Sequence, residues 1–320
     1  MKVSVVIPAY NEETFIESCL SCLNAQSFPC DEFEVILVDN GSTDRTAAIA
    51  NRFKGKFALA VISKSKITIS AVRNLGASLS KGDIVVFLDG DCLTQPAWIA
   101  EGLRLAPASG IWGAHYRIPS SATWVSRVWF TYQAKEQEGA VSFIPASNMF
   151  IRRSDFDALG GFDESIQTSE DVDICNRAHA VGMPVVAFRV LAVVHEGIPR
   201  NLLQFYRQNR WHGMQIFQKF MQNLPSTKNL KIVAISLYTF VMFWATVAAL
   251  GVALVTHWWL PPILGVILLL MPSMMLSIGK AWKSKSITAI SSLIVLYAVY
   301  LLARAAAVTR VSPRNFKSMK

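Results

Sequence analysis

Charge is scarce in this chain and missing from one long stretch. Asp, Glu, Lys and Arg make up 17% of the 320 residues, against 52% hydrophobic ones. Between Lys231 and Lys280 there is no formally charged residue. That excludes an ordinary soluble surface there, and at ~1.5 Å rise per residue the stretch is long enough for two bilayer crossings. Cysteine is sparse too. Five cysteines, an odd number without regular spacing, argue against a disulfide framework and for a reducing compartment. Cys19 and Cys22 form a lone CxxC inside an amphipathic pattern, so core packing is their expected role. No signal peptide is legible: MKVSVVIPAY reads as a strand and a turn, which places the globular part in the cytosol. The net charge of +9 would suit nucleic acid, but the basic residues cluster beside hydrophobic segments. An anionic membrane surface is therefore the expected partner, and nucleic acid is not.

The first two thirds of the chain read as an α/β domain. Val3–Ile7 is a β-rich run closed by Pro8, and a helix follows AYNEE through about Gln26. Glu34–Val38 is the next strand and runs into DNGSTD, Asp39–Asp44. Ala58–Ile62 is a third strand, a helix over about Ala71–Leu79 carries Arg73 and Asn74, and Ile84 starts a fourth strand. Alternation at this spacing predicts βαβ units and a mostly parallel, Rossmann-like sheet. Further strands are expected over Gly110–Ile118, Asn148–Arg152 and Val185–Val190, and a helix over Ser169–Gly182.

The fourth strand organises the rest. IVVFLDGDC runs apolar residues straight into Asp89 and Asp91, with only Gly90 between. In an open α/β sheet, ligands bind just beyond the carboxyl ends of the strands. Two carboxylates that close repel unless a cation or donors compensate, and Mg²⁺ is typically held by one or two carboxylates plus substrate phosphates. Alone, the same three residues also fit a solvated acidic turn. Glu170 and Asp171 fall at a helix N-terminus, where negative charge is favoured. His195 follows the last strand and reads either as a metal or phosphate ligand or as a structural histidine.

From Asn201 to Asn223 large apolar residues (Leu202, Phe205, Tyr206, Trp211, Met214, Phe217, Phe220) interleave with Arg207, Arg210 and Lys219. This predicts a helix lying in the bilayer interface. Two crossings follow, broken at HWWLPP, His257–Pro262, where paired tryptophans suit the membrane boundary. The loop KAWKSKS, Lys280–Ser286, is basic and expected in the cytosol. A third apolar segment, Ile287–Ala303, ends at Arg304. Full crossing would put Arg310, Arg314, Lys317 and Lys320 outside, against the positive-inside rule, so crossing and re-entrance both stay open. The expected organisation is a catalytic domain over 1–199, an interfacial helix over 200–230, membrane helices over 231–308 and a basic tail over 309–320.

VSVVIPAYNEE, VDNGSTDRT, AVRNLGASLSKGDIVVFLDGD, GGFDES and SEDVDICNRAHAVG stand in that order over about the first 200 residues. Together they resemble a family-2 glycosyltransferase of the GT-A fold. The resemblance implies an inverting, metal-dependent transferase using Mg²⁺ or Mn²⁺, and the apolar segments imply that it is anchored to the cell membrane as a multi-pass protein. Its donor would be a nucleotide sugar, UDP being the commonest nucleotide, and its acceptor a lipid or lipid-linked molecule at the cytosolic face. Carried over, Pro8, Tyr10 and Glu12 line the base pocket, and Asp39 contacts base or ribose with Arg73 and Asn74 nearby. Asp89 faces ribose and metal, Asp91 binds the metal, and Asp171 is the general base with Glu170 in reserve. RQNRW, Arg207–Trp211, resembles the QxxRW motif of processive synthases, with arginine where glutamine is commoner. Arg210 and Trp211 then suit a diphosphate clamp and an acceptor platform, or simple interfacial anchoring. A processive polysaccharide synthase is the near alternative, and a non-catalytic nucleotide-binding membrane scaffold the distant one. The scaffold reading predicts damaged acidic motifs, whereas Asp89, Asp91, Glu170 and Asp171 are all intact.

Overall fold

The computed structural model describes residues 2–64, 67–133, 137–166, 168–222, 230–284 and 289–308, without side chains for 133, 214–222, 283–284 and 308. The basic tail, Lys285 and Ser286, and the side chains of Met214, Phe217, Lys219 and Phe220 lie outside the described residues; residues 280–284, expected in a loop, continue the helix over Leu260–Ser284 instead. The chain forms two compact units, residues 1–120 with 136–198, and residues 121–135 with 199–320.

The first unit is built on β1 (Val3–Ala9), α1 (Ile16–Asn24), β2 (Phe33–Asp39), α2 (Thr46–Asn51), β3 (Ala58–Ser63), α3 (Ile69–Leu79) and β4 (Ile84–Leu88). β5 (Cys92–Leu93), α4 (Trp98–Arg104) and β6 (Ile111–Gly113) follow. After α5 (Trp124–Gln133), which belongs to the second unit, come β7 (Gly139–Ala140), β8 (Asn148–Arg152), α6 (Arg153–Ala158), α7 (Glu170–Ala180), β9 (Val185–Ala187) and β10 (Val194–His195). The main sheet runs β3-β2-β1-β4-β8-β6-β9-β7, and β5 pairs with β10 in a small second sheet. β3, β2, β1 and β4 are parallel, while β8 runs antiparallel to β4. This is the mostly parallel α/β sheet that the alternating pattern predicts, with an antiparallel extension.

β1, β2 and β4 are buried along their whole length, which is why they read as continuous apolar runs rather than alternating ones. β1 runs on through Pro8, further than the sequence suggests. Its ladder to β4 ends at Val6, so the missing proline N–H interrupts no bond on that side. β6 is far shorter than the apolar run over Gly110–Ile118. Beyond Gly113 the Asn148 side-chain amide, rather than a strand, takes the Ala114 carbonyl, at 3.1 Å.

The second unit holds α5, α8 (Leu202–Gln222), α9 (Leu230–Thr256), α10 (Leu260–Ser284) and α11 (Ile290–Val308). Three helices, over Leu230–Thr256, Leu260–Trp282 and Ile290–Ala307, are long and apolar enough to cross a membrane. The turn between α9 and α10 exposes Trp258 and Trp259, as a membrane-boundary pair would. α5 and α8 pack on α11 through Trp129, whose ring lies 4.8 Å from Phe205 and 5.3 Å from Tyr300. Phe205 is buried, whereas Trp211 on the same helix is 46% exposed. α11 runs past Arg304, which is 8% exposed inside the bundle.

Candidate functional site

Three parallel strands, β1, β2 and β4, deliver their carboxyl ends to one rim of the first unit. At the end of β4 the chain turns at once: Cys92 N–H donates to the Asp89 carbonyl at 3.1 Å, and Gly90 makes the corner. β5 then pairs with β10, setting His195 directly opposite Cys92. Asp91 Oδ1 lies 3.6 Å from His195 Nε2, and the Asp91 carbonyl accepts from the Glu196 N–H at 2.9 Å. The His195 ring packs against Tyr116 at 4.8 Å. Its Nδ1 is buried with no hydrogen-bond partner among the described residues.

The backbone passes very close here. A Cβ on Gly197 would stand 1.9 Å from Asp91 Oδ2, so only glycine leaves this carboxylate in place. Burial first, and the Asp89 charge after it, push the Asp91 carboxyl up, while His195 acts the other way. Glu12, on the loop after β1, belongs to the same acidic cluster: a Cβ on Gly90 would lie 3.5 Å from its Cγ. Burial, then Asp91, Asp89 and Asp44, push Glu12 up to about 8. Four acids gathered with so little positive charge are short of a cation.

Arg73 supplies part of it. Rising from α3, it is 4% exposed, and its Nη2 donates to Asp89 Oδ1 at 2.7 Å while its Nη1 donates to Glu170 Oε1. One guanidinium thus ties the end of β4 to the start of α7. Asp171, beside Glu170, is not in that pair. Its Oδ1 accepts from the Val172 N–H at 2.8 Å. Burial and then the Glu170 charge push it up to about 6, against Arg73 and the backbone donors of Val172 and Ala146.

The remaining residues frame this centre. Pro8 is buried in β1, and Tyr10 just beyond it is 45% exposed. Asp39 ends β2 and accepts from Ser42 N–H at 3.2 Å. Asn11, at φ 57°, takes the Thr43 N–H at 2.8 Å, and Glu12 N–H donates to Thr46 Oγ1 at 2.7 Å. The loops after β1 and β2 are thereby knitted together. Asn74 bonds the GGFDES turn through Phe162, with its amide oxygen accepting at 2.9 Å and its amide nitrogen donating at 2.8 Å. Arg210 and Trp211 stand on α8 in the second unit.

The residues present fit a hard divalent cation. Asp91, Cys92 and His195 each offer an atom within 4.8 Å of the others. Burial and the neighbouring carboxylates push the Cys92 thiol well up, and Asp91 and His195 supply the oxygen and nitrogen donors that suit Mg²⁺ or Mn²⁺. Sequence reasoning placed Asp91 and His195 in such a set but did not reach Gly197 or the approach of Glu12 to the acids. The short spacing of Gly197 after His195 was the one available signal.

Residues 4–160 match the family described as Glycosyl transferase family 2, and residues 105–308 match Glycosyl transferase family group 2. The chain is 31% identical over 188 residues to glycosyltransferase AglE of Haloferax volcanii, covering 56% of this chain and 62% of that protein. It is 29% identical over 260 residues to the probable glycosyltransferase YdaM of Bacillus subtilis, covering 75% and 61%. The chain thus spans about three fifths of the length of these two curated relatives. In fold it is similar to the mannosyltransferase PcManGT from Pyrobaculum calidifontis in complex with GDP-Man and Mn²⁺, at TM-score 0.61 and 20% identity, covering 100% of this chain and 88% of that one. It is also similar to S. aureus TarS 1-349 in complex with UDP-GlcNAc, at TM-score 0.53 and 20% identity, covering 68% and 66%.

Proposed function

This chain belongs to the family-2 glycosyltransferases, and from that premise we propose that it transfers a sugar, with inversion, from a nucleotide-sugar donor to a lipid or lipid-linked acceptor at the cytosolic face of a cell membrane. The observation that carries the reading is the Asp91 carboxylate facing His195 across the β5–β10 ladder, beside an Asp89 held by Arg73. Asp91, Asp89 and His195 would hold Mg²⁺ or Mn²⁺. When bound, the cation offsets the charge that develops on a nucleoside diphosphate leaving group.

The chain's own residues supply the rest. Pro8, Tyr10, Glu12 and Asp39 line the nucleotide, with Asn74 fixing the wall behind. Arg73 keeps Asp89 turned toward the donor by pinning its second oxygen away. Asp171 accepts the proton of an acceptor hydroxyl; pushed up to about 6, it is largely ionised at neutral pH yet still basic enough to take that proton. Glu170, occupied by Arg73, positions rather than reacts. Three helices able to cross a membrane, covering the second unit, support a multi-pass anchor and a lipid-borne acceptor. Arg210 and Trp211 on α8 are suited to meet that acceptor's polar head.

The test is a thermal-shift panel of UDP, GDP and dTDP sugars on the full chain in detergent, with and without Mn²⁺, followed by transfer of labelled sugar to a membrane lipid extract. A Mn²⁺-dependent shift with one nucleotide series and label in the organic phase is expected. No shift with any donor and no difference between Asp91→Ala and wild type would end the proposal.

A further inference from the structure

The corner between β5 and β10 holds a third donor that a hard cation leaves unused. Cys92 and His195 are direct partners across this antiparallel ladder, so their side chains leave the same face. The Cys92 thiol donates to Asp91 Oδ1 at 3.7 Å, and His195 Nε2 lies 3.6 Å from that same oxygen. A donor atom from each of the three falls within 4.8 Å of the other two. Asp91 Oδ2 is turned elsewhere, against the backbone at Gly197, which leaves Oδ1 to face the sulfur and the imidazole. Cys92 is in no disulfide, and the Asp91 and His195 side chains are only 14% and 17% exposed. Oxygen, nitrogen and sulfur thus converge in a sheltered corner.

Their spacing suits one kind of ion. Around a tetrahedral zinc, bonds of about 2.0–2.3 Å set neighbouring donors roughly 3.3–3.6 Å apart. The separations of 3.6 and 3.7 Å are close to that. An octahedral Mg²⁺, with bonds of about 2.0–2.1 Å, sets its donors at roughly 2.9 Å and takes oxygen rather than sulfur. A cysteine sulfur in an otherwise oxygen and nitrogen set shifts preference toward zinc, which already outranks Mn²⁺ at mixed sites. Three protein donors also leave a fourth position open for water or a ligand oxygen.

We propose that Asp91, Cys92 and His195 form a site for a zinc-like divalent cation, which binds there more tightly than Mg²⁺ or Mn²⁺ and displaces them. Binding exchanges the sulfur–hydrogen bond for a sulfur–metal bond and releases one proton to solvent. Asp91 and His195 are common to both sets of ligands, so the softer and the harder ion compete. The site depends on the reading of this corner as a cation centre, but on no feature of donor or acceptor.

The test loads zinc onto the full chain in detergent, with the exposed Cys30 changed to serine to remove a surface thiol, and reads the metal's neighbours by X-ray absorption. One sulfur at about 2.3 Å, with nitrogen and oxygen at about 2.0–2.2 Å, is expected. Cobalt in place of zinc should give a thiolate charge-transfer band in the near ultraviolet, bleached by zinc but not by about a hundredfold excess of Mg²⁺. Cys92→Ser should lose the sulfur and the band. Its zinc affinity should fall at least about tenfold further than its Mn²⁺ affinity, a split that a merely structural role would not produce. The sulfur distance is read with Cys92 in place, so it carries the test should the serine variant not fold. A zinc shell of oxygen and nitrogen alone overturns the proposal. So does a sulfur that persists in Cys92→Ser, which would put the metal on another cysteine. The Mn²⁺-dependent donor shift is read on the same preparations: sulfur at the zinc without that shift upholds the site and counts against the transferase, and the shift without sulfur does the reverse.

Discussion

Arg73 holds Asp89 and Glu170 at the same time, one nitrogen to each. These residues come from the helix before β4, the end of β4 and the start of α7, so one buried side chain fixes the mutual position of three elements. Removing it leaves two carboxylates facing each other without a counter-charge. Arg73→Ala should cost about 3–5 kcal/mol of stability, the range for breaking a buried pair by deleting one partner. Arg73→Lys should recover only part, because an ammonium lacks the fork that reaches both acids. Thermal unfolding of the two variants in detergent checks the order.

Asp91→Asn removes a carboxylate that burial and Asp89 hold above its ordinary range. Without added metal the variant should unfold no earlier than wild type, and the stabilisation that Mn²⁺ gives wild type should vanish. His195→Ala should weaken the Mn²⁺ effect about tenfold while leaving some of it, since Asp91 and Asp89 remain. A Mn²⁺ titration followed by melting temperature measures both.

Asp171→Asn should lower the transfer rate to a hydroxyl acceptor by about 10²–10⁴, with donor binding retained. In wild type the rate should climb with pH through about 6, because only the ionised carboxylate accepts a proton. A rate near wild type in the asparagine variant would instead indicate an acceptor already ionised, such as a lipid phosphate. The same shift has a stability consequence. The folded value lies above the ordinary carboxylate value, so the native state binds the proton more tightly and loses stability as pH rises from about 4 through about 6. Above that window Asp171→Asn should be about 3 kcal/mol more stable than wild type, and below it the two should converge.

Gly197→Ala tests the close approach at the acidic cluster. Its new Cβ would collide with Asp91 Oδ2, and the flexible carboxylate gives way sooner than the backbone that follows β10. Folding should be preserved while transfer falls about 10²-fold, the scale of loss for an ångström of misplacement. A circular-dichroism melt alongside the rate separates the two effects.

Much of this was legible in the chain. IVVFLDGD announced a buried strand ending in two acids because a strand covered on both faces must be apolar throughout. The helix-start acids Glu170 and Asp171 stood out for their position before an amphipathic pattern. That Arg73 bonds Glu170 and not Asp171 did not, because the contact joins side chains 97 residues apart. α5 escaped notice altogether. WVSRVWFTYQ interrupts the α/β pattern, and its key contact, Trp129 with Phe205, joins residues that no local periodicity connects. Arg304 read as the end of a hydrophobic segment, since a sequence shows a charge but not that the helix continues around it.

The pairing of β5 with β10 has a consequence for how the molecule comes into being. Cys92 and His195 meet although roughly a hundred residues separate them, a long loop to close for a two-residue ladder. During synthesis the acids at the tip of β4 emerge long before the imidazole that faces them. The corner where Asp91 faces His195 therefore cannot exist on a half-made chain, and anything that depends on it waits until the whole first unit has left the ribosome.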